Sequence, residues 1–120
     1  MSSDLKKVSF AEVVSRLELG IVNQVSDLDS LYVQNLILSD LMSDVLMVGH
    51  DVDLLVTSLA TDQSIRTASI MDMSGVIIVN GKEVTENMRA LAEELGINLF
   101  SSHHSKYHAG CLLYDLQEGR

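Results

Sequence analysis

Three times in the second half of the chain, a short apolar run closes on small polar residues and passes into helical periodicity. Asp-Leu-Leu-Val-Thr (53–57) leads into Ser58-Leu-Ala-Thr-Asp62, Gly-Val-Ile-Ile-Val-Asn-Gly (75–81) into a polar turn, and Ile-Asn-Leu-Phe-Ser (97–101) into Ser102 and a histidine-rich stretch. Apolar runs without polar alternation predict strands buried on both faces, the mark of a parallel sheet. A helix is predicted from Thr61 or Asp62 to about residue 72. Another spans about 85–95, with Val84, Met88, Leu91, Ala92 and Leu95 on one face. Gly96 followed by Ile97 has the composition of a Schellman stop. A last helix opens at Ser105 and carries the stripe Ala109, Leu112, Leu113 and Leu116. Three successive βα units require right-handed crossovers. The expected fold is α/β: three layers, a mainly parallel sheet with helices on both faces.

The first half is less regular. Ser9-Phe-Ala-Glu12 has the form of a capping box ahead of Ala11, Val14 and Leu17. Residues 19–23 and 31–37 are candidate strands, with a turn over 24–30 between them. Ser39 is the expected cap of a helix over 39–47, Asp40 suits its positive end, and Leu41, Met42, Val45 and Leu46 are expected to face inward. The chain thus reads as an N-terminal helical segment, 1–18, leading into an α/β region, 19–120, the whole a single domain.

At 120 residues, one domain can bury roughly two-thirds of its unfolded surface. Hydrophobic residues make up 47% of the chain and aromatics 4%, so the core is aliphatic, with six Met as fillers. The net charge of −9 is unevenly placed: no Lys or Arg lies between Arg16 and Arg66, while eight Asp and Glu do. Nucleic-acid binding needs cations to displace counterions, so this chain is expected to repel a polyanion and an anionic membrane surface alike. No run of about 18 uncharged apolar residues suggests a transmembrane helix, and the start does not resemble a signal peptide. A single cysteine, Cys111, excludes an internal disulfide and fits a cytoplasmic location.

Candidate chemistry gathers where strands end. Thr57 and Ser58, Asn80 and Gly81, and Ser101 and Ser102 are expected side by side on one rim, with Ser39 and Asp40 nearby and helix N-termini at Thr61 and Ser105. Ligands of open α/β sheets bind outside the carboxyl ends of the strands. Backbone N–H groups at helix starts suit a small anion or a nucleotide's phosphates. The same small polar residues also serve as ordinary caps. Neither a G-x-G-x-x-G nor a G-x-x-x-x-G-K-[ST] pattern occurs, which argues against an ATPase, kinase or dinucleotide enzyme. His103, His104 and His108 offer a weak metal alternative, since Ser105 as cap leaves His104 outside the helix. Cys111, close to the apolar stripe, is expected to be a buried, inert thiol. Ser39, Asp40, Ser43 and Asp44 repeat a Ser-Asp pair four apart and would share one helix face.

Ser-Asp-Leu-Met-Ser-Asp-Val (39–45), Asp-Leu-Leu-Val-Thr (53–57), Gly-Val-Ile-Ile-Val-Asn-Gly (75–81), Ala-Glu-Glu-Leu-Gly-Ile (92–97) and Ala-Gly-Cys-Leu-Leu-Tyr-Asp-Leu (109–116), in this order, resemble the DRTGG domain, especially its small stand-alone members in bacteria and archaea. The likeness runs from about Leu19 to Leu116. The family is similar in fold to the N-terminal domain of HPr kinase/phosphorylase and occurs beside CBS domains and in phosphotransacetylase-related proteins. There it looks like a dimerising, regulatory or ligand-sensing module, and some CBS-paired relatives are linked to adenine nucleotides. Stand-alone relatives often carry Gln-Thr-His then Asn after the strand matching 53–57, where this chain has Leu59-Ala-Thr61 then Gln63. The DRTGG signature itself is not spelled out either.

The expectation is therefore a non-enzymatic regulatory homodimer, with a small-molecule or nucleotide ligand at the rim and no cofactor. Charge would keep the acidic stretch from Glu18 to Asp62 away from the twofold axis. The alternatives are an enzyme using the Ser/Thr/His rim and a protein-interaction scaffold without a ligand.

Overall fold

The computed structural model describes residues 5–120, so the first four residues of the expected N-terminal segment lie outside the described residues. In chain order the elements are β1 (Val8–Ser9), α1 (Phe10–Leu17), β2 (Gly20–Asn23), β3 (Tyr32–Val33), β4 (Leu36–Leu38), α2 (Met42–Val45), β5 (Leu54–Thr57), α3 (Asp62–Ile70), β6 (Gly75–Ile78), α4 (Glu86–Leu95), β7 (Asn98–Ser101) and α5 (Lys106–Gln117). A five-stranded sheet runs β2-β7-β6-β5-β4. Strands β4 to β7 are parallel neighbours, and β2 joins the β7 edge antiparallel.

Alternation along the strands sorts the core into two layers. Leu54, Val56, Ile77, Val79 and Phe100 pack on one face with Phe10, Val13 and Leu17 of α1 and Ala109, Leu113 and Leu116 of α5. Leu55, Val76, Ile78 and Leu99 pack on the other with Met42, Val45, Ile65, Ala68, Met88 and Ala92. The architecture is the expected three-layer α/β sandwich, and α1 belongs to its core. Two expected caps form: Ser9 and Ser105 accept from the N–H groups of Glu12 and His108, and Thr85 likewise accepts from Met88 N–H at the start of α4. Ile97 N–H donates to Ala92 and Gly96 N–H to Glu93, the paired bonds of a Schellman stop. The segment entering β1 meets the end of α5, with Lys6 N–H donating to the Gln117 carbonyl at 3.1 Å. Among the described residues no helix is long and apolar enough to cross a membrane.

Three local expectations fail. The strand over 31–37 is two strands, because the Asp53 carboxylate accepts from the N–H groups of Gln34 and Asn35 at 2.8 and 3.1 Å and turns the chain there. β3 then pairs antiparallel with β1 in a separate two-stranded sheet, and β4 enters the main one. Ser39 does not cap a helix: its hydroxyl accepts from Leu41 N–H, Leu41 stays extended, and α2 begins only at Met42. Ser39 and Asp40 therefore share no helix face with Ser43 and Asp44, and Leu41 and Leu46 are exposed rather than inward. Cys111 is exposed, not buried. It stands two residues from each of the buried positions Ala109 and Leu113, which at 100° per residue puts it on the opposite face of α5.

Candidate functional site

The parallel register sets Thr57 level with Ile78 and Ile78 level with Ser101, so the carboxyl ends of β4, β5, β6 and β7 form one continuous rim. Every rim residue singled out from the sequence stands at this end of the sheet. The structure separates them into two halves of different character.

The β4–β5 half is closed on itself. Asp40 Oδ1 accepts from Ser58 N–H at 2.7 Å and from the Thr57 hydroxyl at 3.0 Å. Its Oδ2 accepts from the Ser58 hydroxyl at 2.8 Å and from Lys106 Nζ at 2.6 Å. Partial burial pushes this carboxyl up. The Lys106 ammonium, the Ser58 N–H and the two hydroxyls outweigh that effect and hold it well below the usual carboxylate range. Thr57 is fully buried, and its oxygen also accepts from Leu59 N–H at 3.1 Å. These groups latch the ends of two strands to the start of α5. Thr61 lies beyond them at the N-terminus of α3 and makes no side-chain cap bond.

The β6–β7 half is open. Asn80 and Gly81 follow one another at φ 66° and 64°, a left-handed pair that Asn and Gly tolerate best. Their N–H groups donate to the carbonyls of His104 at 2.7 Å and Ser102 at 2.9 Å, which ties the β6–α4 loop to the β7–α5 loop. Between these loops lies a cavity of about 240 Å³ lined by Gly81, Lys82, Ser101, Ser102 and His103. The Ser102 hydroxyl accepts from His104 N–H at 3.0 Å. The three imidazoles pack in series beside the cavity, with ring centroids 4.8 Å apart for His103 and His104 and 4.6 Å for His104 and His108. Among the described residues no group of three or more His, Cys, Asp and Glu is arranged to hold a metal ion.

Sequence reasoning left out Lys82 and Lys106, the two cations of the rim. Each directly follows a residue already singled out, Gly81 and the cap Ser105, so adjacency to the rim was the available signal. A roomier cavity of about 470 Å³ lies away from the rim, between β4 and α5, lined by residues that include Gln34, Leu38, Val52 and Tyr114.

No family model matches the chain, and no curated protein sequence matches it significantly. Among solved structures it is similar to the CBS and DRTGG domains of the regulatory region of Clostridium perfringens pyrophosphatase, a crystal structure complexed with the activator diadenosine tetraphosphate. The TM-score is 0.72 at 13% sequence identity, over 94% of this chain and 47% of that one. The chain therefore spans about half the length of that neighbour. At this identity the likeness shows the fold alone, and the fold is DRTGG-like.

Proposed function

We propose that the chain is a non-enzymatic, cytoplasmic, ligand-sensing regulatory module that acts as a homodimer, and that a small anion or nucleotide binds at Asn80, Gly81, Lys82, Ser101, Ser102 and His103. The observation that carries this reading is the asymmetry of the rim: one half has its polar groups spent on each other, while the other keeps a cavity with a lysine, a histidine and two serines around it. Anionic oxygens suit Lys82 and the serine hydroxyls, and a flat base suits the exposed imidazole of His103. Asp40 cannot serve as a general base while bound to four donors. The nucleotide activator of the similar regulatory region supports the ligand class, and the free thiol of Cys111 fits a cytoplasmic setting.

Thermal shift and calorimetry with diadenosine tetraphosphate, ATP, AMP and inorganic phosphate test this. A ligand at a hundredfold excess over its Kd stabilises the fold by about 2.7 kcal/mol. Asn80→Ala or Lys82→Ala should weaken that ligand by roughly 2- to 10-fold each, the equivalent of one hydrogen bond. Silence from all four probes, or unchanged affinity in both variants, rejects the site.

A further inference from the structure

The homodimer reading gains a specific surface from the far edge of the sheet. β4 ends the five-stranded sheet, so among the described residues its outer backbone groups have no strand partner. Edge strands are normally protected by a charge, a proline or a bulge. The opposite edge strand, β2, has a register break between Ile21 and Asn23. β4 has none of these three: it is short, but its Leu36, Ile37 and Leu38 are all apolar and in unbroken register with β5.

The flanks of β4 are unusually apolar. The chain leaves its carboxyl end through α2 and returns to its amino end, where Asp53 N–H donates to the Asn35 carbonyl at 2.8 Å. Along that return Leu41, Leu46, Met47 and Val48 are exposed, Met47 by 84%. On the other face α5 presents Tyr107, 82% exposed, and Tyr114. Tyr107, Tyr114, Gly110 and Cys111 line a cavity of about 370 Å³ with Leu38 of β4. Tyr114, Leu38 and Gly110 also line the 470 Å³ cavity, so the two open along the same edge.

We infer that the β4 edge with its two flanks is the dimer interface, and that its occupant is a second copy of this chain, β4 pairing antiparallel with β4 across a twofold axis. This rests on the homodimer reading above and adds where the contact lies. Three observations choose the occupant. Antiparallel pairing of a strand with its own copy is self-complementary and closes, as a twofold interface must. The six exposed apolar side chains cover an area of the order of the ~800 Å² per partner of a standard interface. β4 and its α2 flank fall inside the acidic stretch that charge alone would keep off the axis, and Asp44 is exposed on that flank; the groove between β4 and α5 carries only Asp51 and Asp115, the second ion-paired to Arg120 at 3.1 Å. A basic partner would find little to bind there.

Sedimentation and light scattering at micromolar protein read the assembly. The wild type should sediment at twice the 13.2 kDa chain mass. Met47→Glu combined with Tyr107→Glu changes only exposed positions and should raise the dimer dissociation constant by ~100-fold or more, since like charges would face each other across the axis. Ile21→Glu, on the β2 edge, should leave the dimer intact. A dimeric wild type whose double variant remains dimeric, with unchanged circular dichroism, overturns this surface and spares the homodimer reading. A monomeric wild type overturns both. Should the double variant misfold, amide exchange decides: Leu36 and Leu38, whose N–H groups face away from β5, should gain protection with wild-type concentration, and concentration-independent exchange rejects β4.

Discussion

Asp40→Asn tests whether the closed half of the rim is held by charge. Asn keeps one oxygen for Ser58 N–H and the Thr57 hydroxyl, but its amide nitrogen cannot accept from the Ser58 hydroxyl or from Lys106. Two of four contacts are lost, and a donor is set against the ammonium. A hydrogen bond to a charged group contributes about 1.5–3 kcal/mol, and an exposed ion pair no more than about 1 kcal/mol. The Asp40 and Lys106 side chains are 44% and 33% exposed, so solvent screening discounts both values. The expected loss at neutral pH is about 1–2 kcal/mol, read as a lowered urea midpoint at unchanged slope. The pH dependence fixes the cause. Because the folded carboxyl titrates below its ordinary value of 3.8, its stabilisation is fully present above that pH. It is lost as pH falls from there through the lower folded value. The gap between wild type and Asp40→Asn should therefore be constant from neutral pH to about 5 and close below about 4. A gap that persists unchanged into strong acid would mean that packing, and not the carboxylate's charge, holds the latch.

Other outcomes follow from single contacts. Gly75→Ala should cost about 1–3 kcal/mol by overpacking, because an added Cβ would stand 2.6 Å from Phe10 Cε2. Phe10 is fully buried against Phe100, and an unaltered denaturation midpoint would show that it can move. At Asn80, φ 66° makes Asn80→Val costly by about 1–2 kcal/mol, while Asn80→Gly should stay near wild type. Equal losses in the two variants would trace the effect to the side chain instead of the backbone. Chelator treatment should leave the melting temperature unchanged and metal analysis of untagged protein should show far less than one zinc per chain, since His103, His104 and His108 offer three nitrogens where a structural zinc wants four ligands. A stoichiometric metal there would put the histidines, not Lys82, at the centre of the site.

The parts of the fold legible in the sequence are those fixed by neighbours a few residues away. The buried strand over 75–78, the caps at Ser9 and Ser105 and the stop at Gly96 all depend on contacts within about one or two turns of chain. What stayed hidden depends on partners far off in sequence. Asp53 divides β3 from β4 across 18 and 19 residues. Asp40 turns away from α2 because its donors include Lys106, 66 residues downstream. The antiparallel sense of β2 is likewise set by its pairing with β7, and no local pattern encodes it. The site shows the same division. Strand ends and small polar residues marked the rim, but only packing shows that Thr57 and Ser58 are consumed by Asp40 while Ser101 and Ser102 border open space. Cys111 adjoins the apolar stripe of α5 in sequence but does not share its phase, and so is exposed.

The bond between Lys6 N–H and the Gln117 carbonyl has a topological consequence. A polypeptide arriving at Lys6 and departing at Gln117 crosses the domain's surface at a single point. A unit of this form can sit within a turn of a host protein and leave the host's two strands almost where they were. Tension along the chain would also act across that one point, peeling Lys6 from Gln117 before it reaches the parallel strands. The sheet and its rim would be the last parts to feel the pull.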